Sequence, residues 1–182
     1  MLMRWGKIAQ KIRVPVGTLL GVLFLCFNLH PSSRSLIIGG AVACLGGVIR
    51  VWAAGHIQKG RVLAMGGPYA HTRNPLYLGS LLMGLGVLLA GQGYWMLIPF
   101  GLFFFFLYYP VMKAEEEELF RAHGDDFVRY ARSVPLFVPG RSTGQRGDST
   151  FLWSRVIKNR EHRTIAALLA TVAFLIALRM LT

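Results

Sequence analysis

The chain alternates long apolar runs with short polar interruptions. Five runs are long enough, with some flanking residues, to cross a hydrocarbon layer about 30 Å thick, which takes roughly 20 residues of helix. They are Val14 to Leu29, Leu36 to Ile57, Leu76 to Ala90, Tyr94 to Met112 and Ile165 to Leu181. The pattern predicts an all-α membrane protein with about five transmembrane helices. Residues 1–139 form its core, 140–163 a polar linker (GRSTGQRGDST) and a basic amphipathic piece (FLWSRVIKNREHR), and 164–182 a last span. The first run follows the basic stretch MLMRWGKIAQKIR in the manner of a signal peptide. Its apolar part is long and no small-residue cleavage site follows, so an uncleaved span is expected.

The interruptions carry their own signals. Gly66, Gly67 and Pro68 break helical continuity after the second run. Pro75, with Asn74 before it held out of the helical region, predicts a fresh helix starting near Asn74. The stretch GPYAHTRNPLYLG is therefore a break followed by a helix start at the membrane edge.

Composition agrees: 54% of residues are hydrophobic, 15% are charged, and the mean hydropathy is +0.48, values of polytopic membrane proteins. Charge orients the chain. Of 20 basic residues, 18 fall within 1–13, 50–73 and 113–163, with Arg34 and Arg179 elsewhere, and all eight acids lie in the third segment. Basic loops are retained in the cytoplasm. Five alternating spans then place the N-terminus and all three segments there, with PSSRS, GQG and the C-terminus outside. The net charge of +12 reads as loops beside anionic lipid rather than nucleic-acid binding, for which no motif is present. Cys26 and Cys44 sit in apolar runs without metal-ligand spacing, so they read as small core residues and no metal site is expected.

Two polar constellations carry candidate chemistry. At the helix start near Asn74, free backbone N–H groups and the positive dipole end suit a carboxylate or phosphate. Arg73 adds a bidentate charge, and Gly79 permits close approach of a ligand or a neighbouring helix. The plainer reading makes Asn74 and Pro75 a cap, Tyr69 and Tyr77 interfacial aromatics, and Arg73 a topology determinant. The second constellation is EEEELFRAHGDDFVRYARSVPLFVP, following FFFFLYYP. Four consecutive glutamates turn 100° per residue and cannot share one site. Its plainer reading is a surface helix with acids early and Arg121, Arg129 and Arg132 late, as the helix dipole favours. Glycines at Gly39, Gly40, Gly46, Gly47, Gly84 and Gly86 have the small-residue spacing of helix packing. Arg50 is costly in hydrocarbon unless paired or snorkelling, and His56 lies near the end of the second run.

In order and spacing the two constellations resemble the integral-membrane methyltransferases that include isoprenylcysteine carboxyl methyltransferase and the phospholipid N-methyltransferases. The hallmark Arg-His-Pro-x-Tyr-x-Gly appears as Arg73, Asn74, Pro75, Tyr77 and Gly79. The hallmark Glu-Glu-x-x-Leu, followed by a glycine and two aromatics, appears as Glu115, Glu116, Leu119, Gly124, Phe127 and Tyr130, closing with Val134, Pro135 and Pro139. The resemblance covers roughly residues 40 to 139. Asn74 in place of the histidine departs from it: base catalysis there is lost, while hydrogen bonding to a ligand is retained.

The resemblance implies transfer of a methyl group from S-adenosylmethionine, leaving S-adenosylhomocysteine, to an amphiphilic acceptor such as a prenylcysteine carboxylate or phospholipid amine at the cytoplasmic leaflet. It implies cofactor contacts from Tyr69, His71, Arg73, Asn74, Pro75, Tyr77, Leu78, Gly79, Glu115 and Glu116, and catalytic roles for Glu115, Glu116 and Arg50. Phe105, Tyr108, Tyr109 and His56 are the expected acceptor contacts. The competing class is a non-catalytic membrane scaffold or conduit, for which the runs offer little midplane polarity beyond Asn28, Thr18 and Ser80. The sequence sets no oligomeric state.

Overall fold

The computed structural model describes residues 2–26, 29–57, 62–140 and 150–181, so Asn28 and all of the GRSTGQRGDST linker except its end residues lie outside the described residues. Among the described residues every element is helical: α1 Leu2–Cys26, α2 Ser33–His56, a 3₁₀ turn Gly67–Ala70, α3 Pro75–Ala90, a 3₁₀ turn Tyr94–Met96, α4 Leu97–Phe103, a π-helical stretch Phe104–Tyr108, α5 Tyr109–His123, α6 Asp125–Ser133, α7 Trp153–Lys158 and α8 Glu161–Leu181. This is an all-α integral membrane protein. Four helical stretches are long and apolar enough to span: Ile8–Cys26, Ser33–His56, Tyr94–His123 and Glu161–Leu181; Pro75–Ala90 is apolar but shorter, at 16 residues. The expected five spans thus become four full-length ones and a short fifth.

The centre is the antiparallel pair α2 and α3, and glycines set how closely it packs. A Cβ added at Gly46 would lie 2.6 Å from the Gly79 carbonyl, and one at Gly39 or Gly86 would collide with the partner backbone. Small residues let two membrane helices touch backbone to backbone. Ser32 caps α2 with a reciprocal Ser32–Ser35 capping box, and Ser35 also donates to the Ala90 carbonyl at 2.9 Å. Not every glycine serves this seam: Gly84 faces the Phe100 ring, Gly47 faces Ile165 and Leu168 of α8, and Gly40 opens onto empty space. At the same end of the bundle Gln92 donates to Ser32 at 2.8 Å.

Sixteen residues rise about 24 Å, short of the hydrocarbon thickness. Since Gly46 meets Gly79 and Gly39 meets Gly86, α3 begins level with Arg50, six residues before the end of α2 at His56. Beyond that level the end of α2 packs against the 3₁₀ turn, where Gly67 meets the His56 ring. The fourth span runs unbroken from Tyr94 to His123 through α4, the π-helical stretch and α5. At about 45 Å it carries its glutamates beside α3. Pro110 has no N–H to give the Phe106 carbonyl, as proline dictates, and Trp5 Nε1 of α1 donates there instead at 3.3 Å. α1 crosses closely where Gly6 meets Pro110 and Ala114.

The chain's last part belongs to the bundle. Helix C-termini leave four carbonyls without intrahelical donors, and at the end of α2 these are met from α7 and its flanks: Leu152 N–H to the Gly55 carbonyl at 3.0 Å, Arg155 to that of His56 at 3.3 Å, and Asn159 to that of Ala54 at 3.0 Å. The basic amphipathic piece divides here. α7 exposes Trp153 and Ile157 and buries Val156, whereas Glu161 to Arg163 form the first turn of α8, which starts three residues before the expected boundary at 164. Near its far end α8 buries Leu175 among Phe24, Leu29, Leu88, Ala90 and Met96.

Candidate functional site

Helix α3 starts with Asn74 as the residue before it and Pro75 in its first turn, the arrangement proline favours because its missing N–H is redundant there. The approach to this start is fixed by the segment after α6. Arg73 N–H donates to the Pro135 carbonyl at 3.0 Å, and Gly140 N–H to the His71 carbonyl at 2.9 Å. Thr72 Oγ1 donates to the Phe137 carbonyl at 2.9 Å, and Asn74 Nδ2 to that of Leu136 at 3.0 Å. His71 Nδ1 lies 3.2 Å from the Gly140 carbonyl. Residues 71–74 and 135–140 are thereby zipped together. The buried Tyr130 adds a bond from its hydroxyl to the Tyr69 carbonyl at 2.8 Å and packs with Leu63, Phe127 and Val134. This roof joins the two constellations.

Beneath it the glutamates divide as helical geometry requires. Tyr77, in the first turn of α3, donates to Glu115 Oε1 at 2.6 Å and accepts from Arg13 of α1 at 2.7 Å. Arg73 Nη2 lies 2.9 Å from Glu116 Oε1, and Lys113 Nζ 2.9 Å from Oε2. Glu117 pairs with Arg121 on the surface, and Glu118 is exposed. So Arg73 with Glu116, and Tyr77 with Glu115 and Arg13 of α1, form one polar cluster between the α3 start and α5.

Among the described residues three buried polar atoms near this cluster have no hydrogen-bond partner: Tyr69 Oη, Arg73 Nε and Glu116 Oε1, the last contacting Arg73 by charge without an aligned N–H. Tyr69 is only 6% exposed. Burial, then repulsion from Tyr130 and Glu115, pushes its hydroxyl far above the usual phenol range, so it stays protonated. Buried groups normally find partners, and leaving one without costs about 1–3 kcal/mol.

The other expected residues lie around this cluster. Arg50 is bound by Glu161 of α8, a residue the sequence reading assigned no role. Gly79 faces α2: a Cβ there would sit 2.5 Å from Arg50 Cγ. His56 is buried, with Nδ1 2.8 Å from the Trp52 carbonyl and its ring against Phe151. Tyr108 turns inward, edge-on to Tyr77 at 5.4 Å and stacked on Phe104 at 4.6 Å. Phe105 and Tyr109 stack on each other at 5.8 Å on the outer face, 60% and 38% exposed. Arg13 and Glu161 were missed for one reason: each is a charge flanking an apolar run, and nothing local distinguishes it from a topology determinant.

Within the membrane a cavity of about 320 Å³ lies between α1, α3, α4 and α8, lined by Gly17, Leu20, Gly84, Phe100, Phe103 and Ala167 among others. At the α4 end of its lining the Phe103 ring meets that of Tyr108 at 5.7 Å. The chamber is apolar apart from Thr164 and Thr171 of α8. Among the described residues no group of three or more His, Cys, Asp or Glu side chains is placed to hold a metal.

A model of the phospholipid methyltransferase family matches residues 35–125, which include both the α3 start and the glutamates of α5. This chain belongs to that family. A cobalt-zinc-cadmium resistance protein, CzcN, of Cupriavidus metallidurans is 32% identical over 119 residues, 63% of this chain and 52% of its own length. A nickel-cobalt-cadmium resistance protein, NccN, of Alcaligenes xylosoxydans xylosoxydans is 30% identical over 125 residues, 66% of this chain and 57% of its own length. The chain thus spans little more than half the length of these curated relatives. No solved structure matches it.

Proposed function

We propose that this protein is an S-adenosylmethionine-dependent methyltransferase that acts on an amphiphilic acceptor at the cytoplasmic edge of the membrane. The observation that carries the reading is the set of unpartnered buried atoms on Tyr69, Arg73 and Glu116, gathered at one polar cluster by the two constellations of a methyltransferase family. Their donors and acceptors fit an amino acid. Arg73 with the N-terminal turn of α3 would take a carboxylate, Glu116 an ammonium or hydroxyl, and the protonated Tyr69 hydroxyl a further acceptor.

When bound, S-adenosylmethionine supplies a methyl group already activated on a sulfonium. The protein's part is then to position the acceptor and exclude water. A carboxylate acceptor requires no base. An ammonium acceptor must first lose a proton, and Glu115, hydrogen-bonded by Tyr77, is the carboxylate we assign to receive it. Asn74 takes no part in this, because its amide is committed to the Leu136 carbonyl. The apolar chamber suits the acceptor's hydrocarbon part. Phe105 and Tyr109 on the outer face, with Tyr108 inside, mark the side from which such a molecule would arrive.

Calorimetric titration of detergent-purified protein with S-adenosylhomocysteine tests the reading. Saturable binding is expected, followed by transfer of radiolabelled methyl from S-adenosylmethionine to extracted lipids or prenylcysteine analogues. A folded protein that binds neither compound would instead be a non-catalytic membrane component.

A further inference from the structure

Arg50 and Glu161 form a bidentate ion pair between α2 and α8. Arg50 Nε donates to Glu161 Oε2 at 2.9 Å and Nη2 to Oε1 at 2.7 Å, and the two side chains are only 17% and 5% exposed. The third nitrogen, Nη1, donates to the Leu76 carbonyl at 3.3 Å and to the Ser80 hydroxyl, which itself donates to the Leu76 carbonyl at 2.9 Å. Arg50 reaches them by laying its stem over Gly79, where a Cβ would lie 2.5 Å from Cγ. Every guanidinium nitrogen is engaged, and Glu161 offsets its charge. Arg50 is therefore poorly placed to bind an anion itself.

We infer that Arg50 and Glu161 are positioning residues through which the C-terminal helix holds the first turn of α3, and with it the Tyr77–Glu115 contact, in place. The inference rests on the proposed reading of that cluster as the cofactor site, and it assigns a role to a residue outside the family match at 35–125. The path is continuous. Glu161 orients Arg50, Arg50 grips Leu76 and Ser80, and that same turn carries Tyr77, whose hydroxyl lies between Arg13 and Glu115. A buried ion pair is not needed for stability, since apolar replacements of similar volume often do as well. What it adds is direction: four donor contacts from one rigid fork fix the turn's height and rotation against α2 and α8. The same anchor sets α8 against the chamber, where Thr164 and Ala167 contribute to the wall.

The test uses the full chain with Arg50→Leu and Glu161→Leu combined, which removes both charges and leaves none unpaired. Its thermal stability is expected to stay near that of the parent. Amides of residues 76–80 should exchange faster with deuterium, and S-adenosylhomocysteine should bind about tenfold more weakly, the scale of one misdirected charge-assisted hydrogen bond. Glu161→Asp, which keeps the charge on a shorter stem, should recover part of both losses. Unchanged exchange at 76–80 would overturn the inference, and so would faster exchange with unchanged affinity, because the turn would then not govern the cradle. Should the double variant fail to fold, Glu161→Asp alone, which keeps both buried charges paired, is read in the same two ways against the parent. A parent protein that does not bind S-adenosylhomocysteine sinks the cofactor reading, while exchange at 76–80 still decides whether the pair holds the turn.

Discussion

Asn74 stands where the family hallmark carries a histidine, and its surroundings explain how the chain tolerates the change. Its Nδ2 donates to the Leu136 carbonyl, which needs a donor, so the side chain ties the roof to the helix start. Arg73 beside it has the opposite character, with a buried Nε left unpartnered. The two neighbours should therefore fail differently. Arg73→Ala is expected to weaken S-adenosylhomocysteine binding by about 1.5–3 kcal/mol, the worth of a hydrogen bond to a charged group, as read by calorimetry. Asn74→Leu removes that bond, leaving Thr72 Oγ1 at 3.4 Å as a longer donor to the Leu136 carbonyl, and should cost about 0.5–1.5 kcal/mol of stability, as read by thermal melting of detergent-purified protein. Equal effects of both variants on both readouts would mean that cradle and roof are not separable. The split was half legible in sequence. The residue types announced hydrogen bonding near Asn74 but not its direction, because the partner carbonyl lies 62 residues away.

At the scale of elements, the α2–α3 seam governs the site, since it sets where α3 begins relative to Arg50. Spacing alone marked Gly39, Gly40, Gly46, Gly47, Gly84 and Gly86 as one class; packing separates them. Gly86→Leu would drive a side chain into the backbone of α2, which cannot yield as a flexible side chain does. It should destabilise by about 3 kcal/mol, the upper end for overpacking. Gly40→Ala meets nothing within 4 Å and should be neutral or stabilising by up to about 1 kcal/mol, through better helix propensity. Melting temperatures of the two variants in one detergent decide the matter. If both are neutral, the seam is not close-packed.

For the whole molecule, orientation has the largest consequence, because the proposed water-soluble cofactor would have to approach Tyr77 and Glu115 from the cytosol. The 18-to-2 division of basic residues sets an expectation that the fold makes easy to test. The Gln92–Ser32 hydrogen bond places the α1–α2 and α3–α4 connections at one end, away from Tyr77 and Glu115. Single cysteines at Ser33 and Gln92, in a background with Cys26 and Cys44 replaced, should react with an impermeant maleimide added outside the cell. A cysteine at Ser142 should be protected. The reverse labelling would place Arg73, Tyr77 and Glu115 on the side away from the proposed cytosolic cofactor. Deleting residues from 150 onward should also fail at this scale, because it strips Glu161 from a buried Arg50 and three donors from the end of α2. Loss of one partner of a buried pair costs about 3–5 kcal/mol, and a sharp fall in melting temperature is expected.

What the sequence determined by itself is whatever depends on short-range chemistry. Hydropathy over about 20 residues located the apolar spans but not α6 or α7, Pro75 after Asn74 set the start of α3, and the glutamate run required that only some of its members face inward. The family hallmarks singled out Arg73, Tyr77, Glu115 and Glu116, which the fold then gathers into one cluster. What only the tertiary structure decided is which charges meet. Arg13 reaches Tyr77 across 64 positions and Arg50 reaches Glu161 across 111. At that separation no periodicity connects the partners, and a charge at the end of an apolar run looks alike in sequence whether it faces lipid headgroups or a buried opposite charge. Contacts between spans are fixed by which glycine faces admit a neighbouring backbone, and that choice is made only when all the helices pack at once.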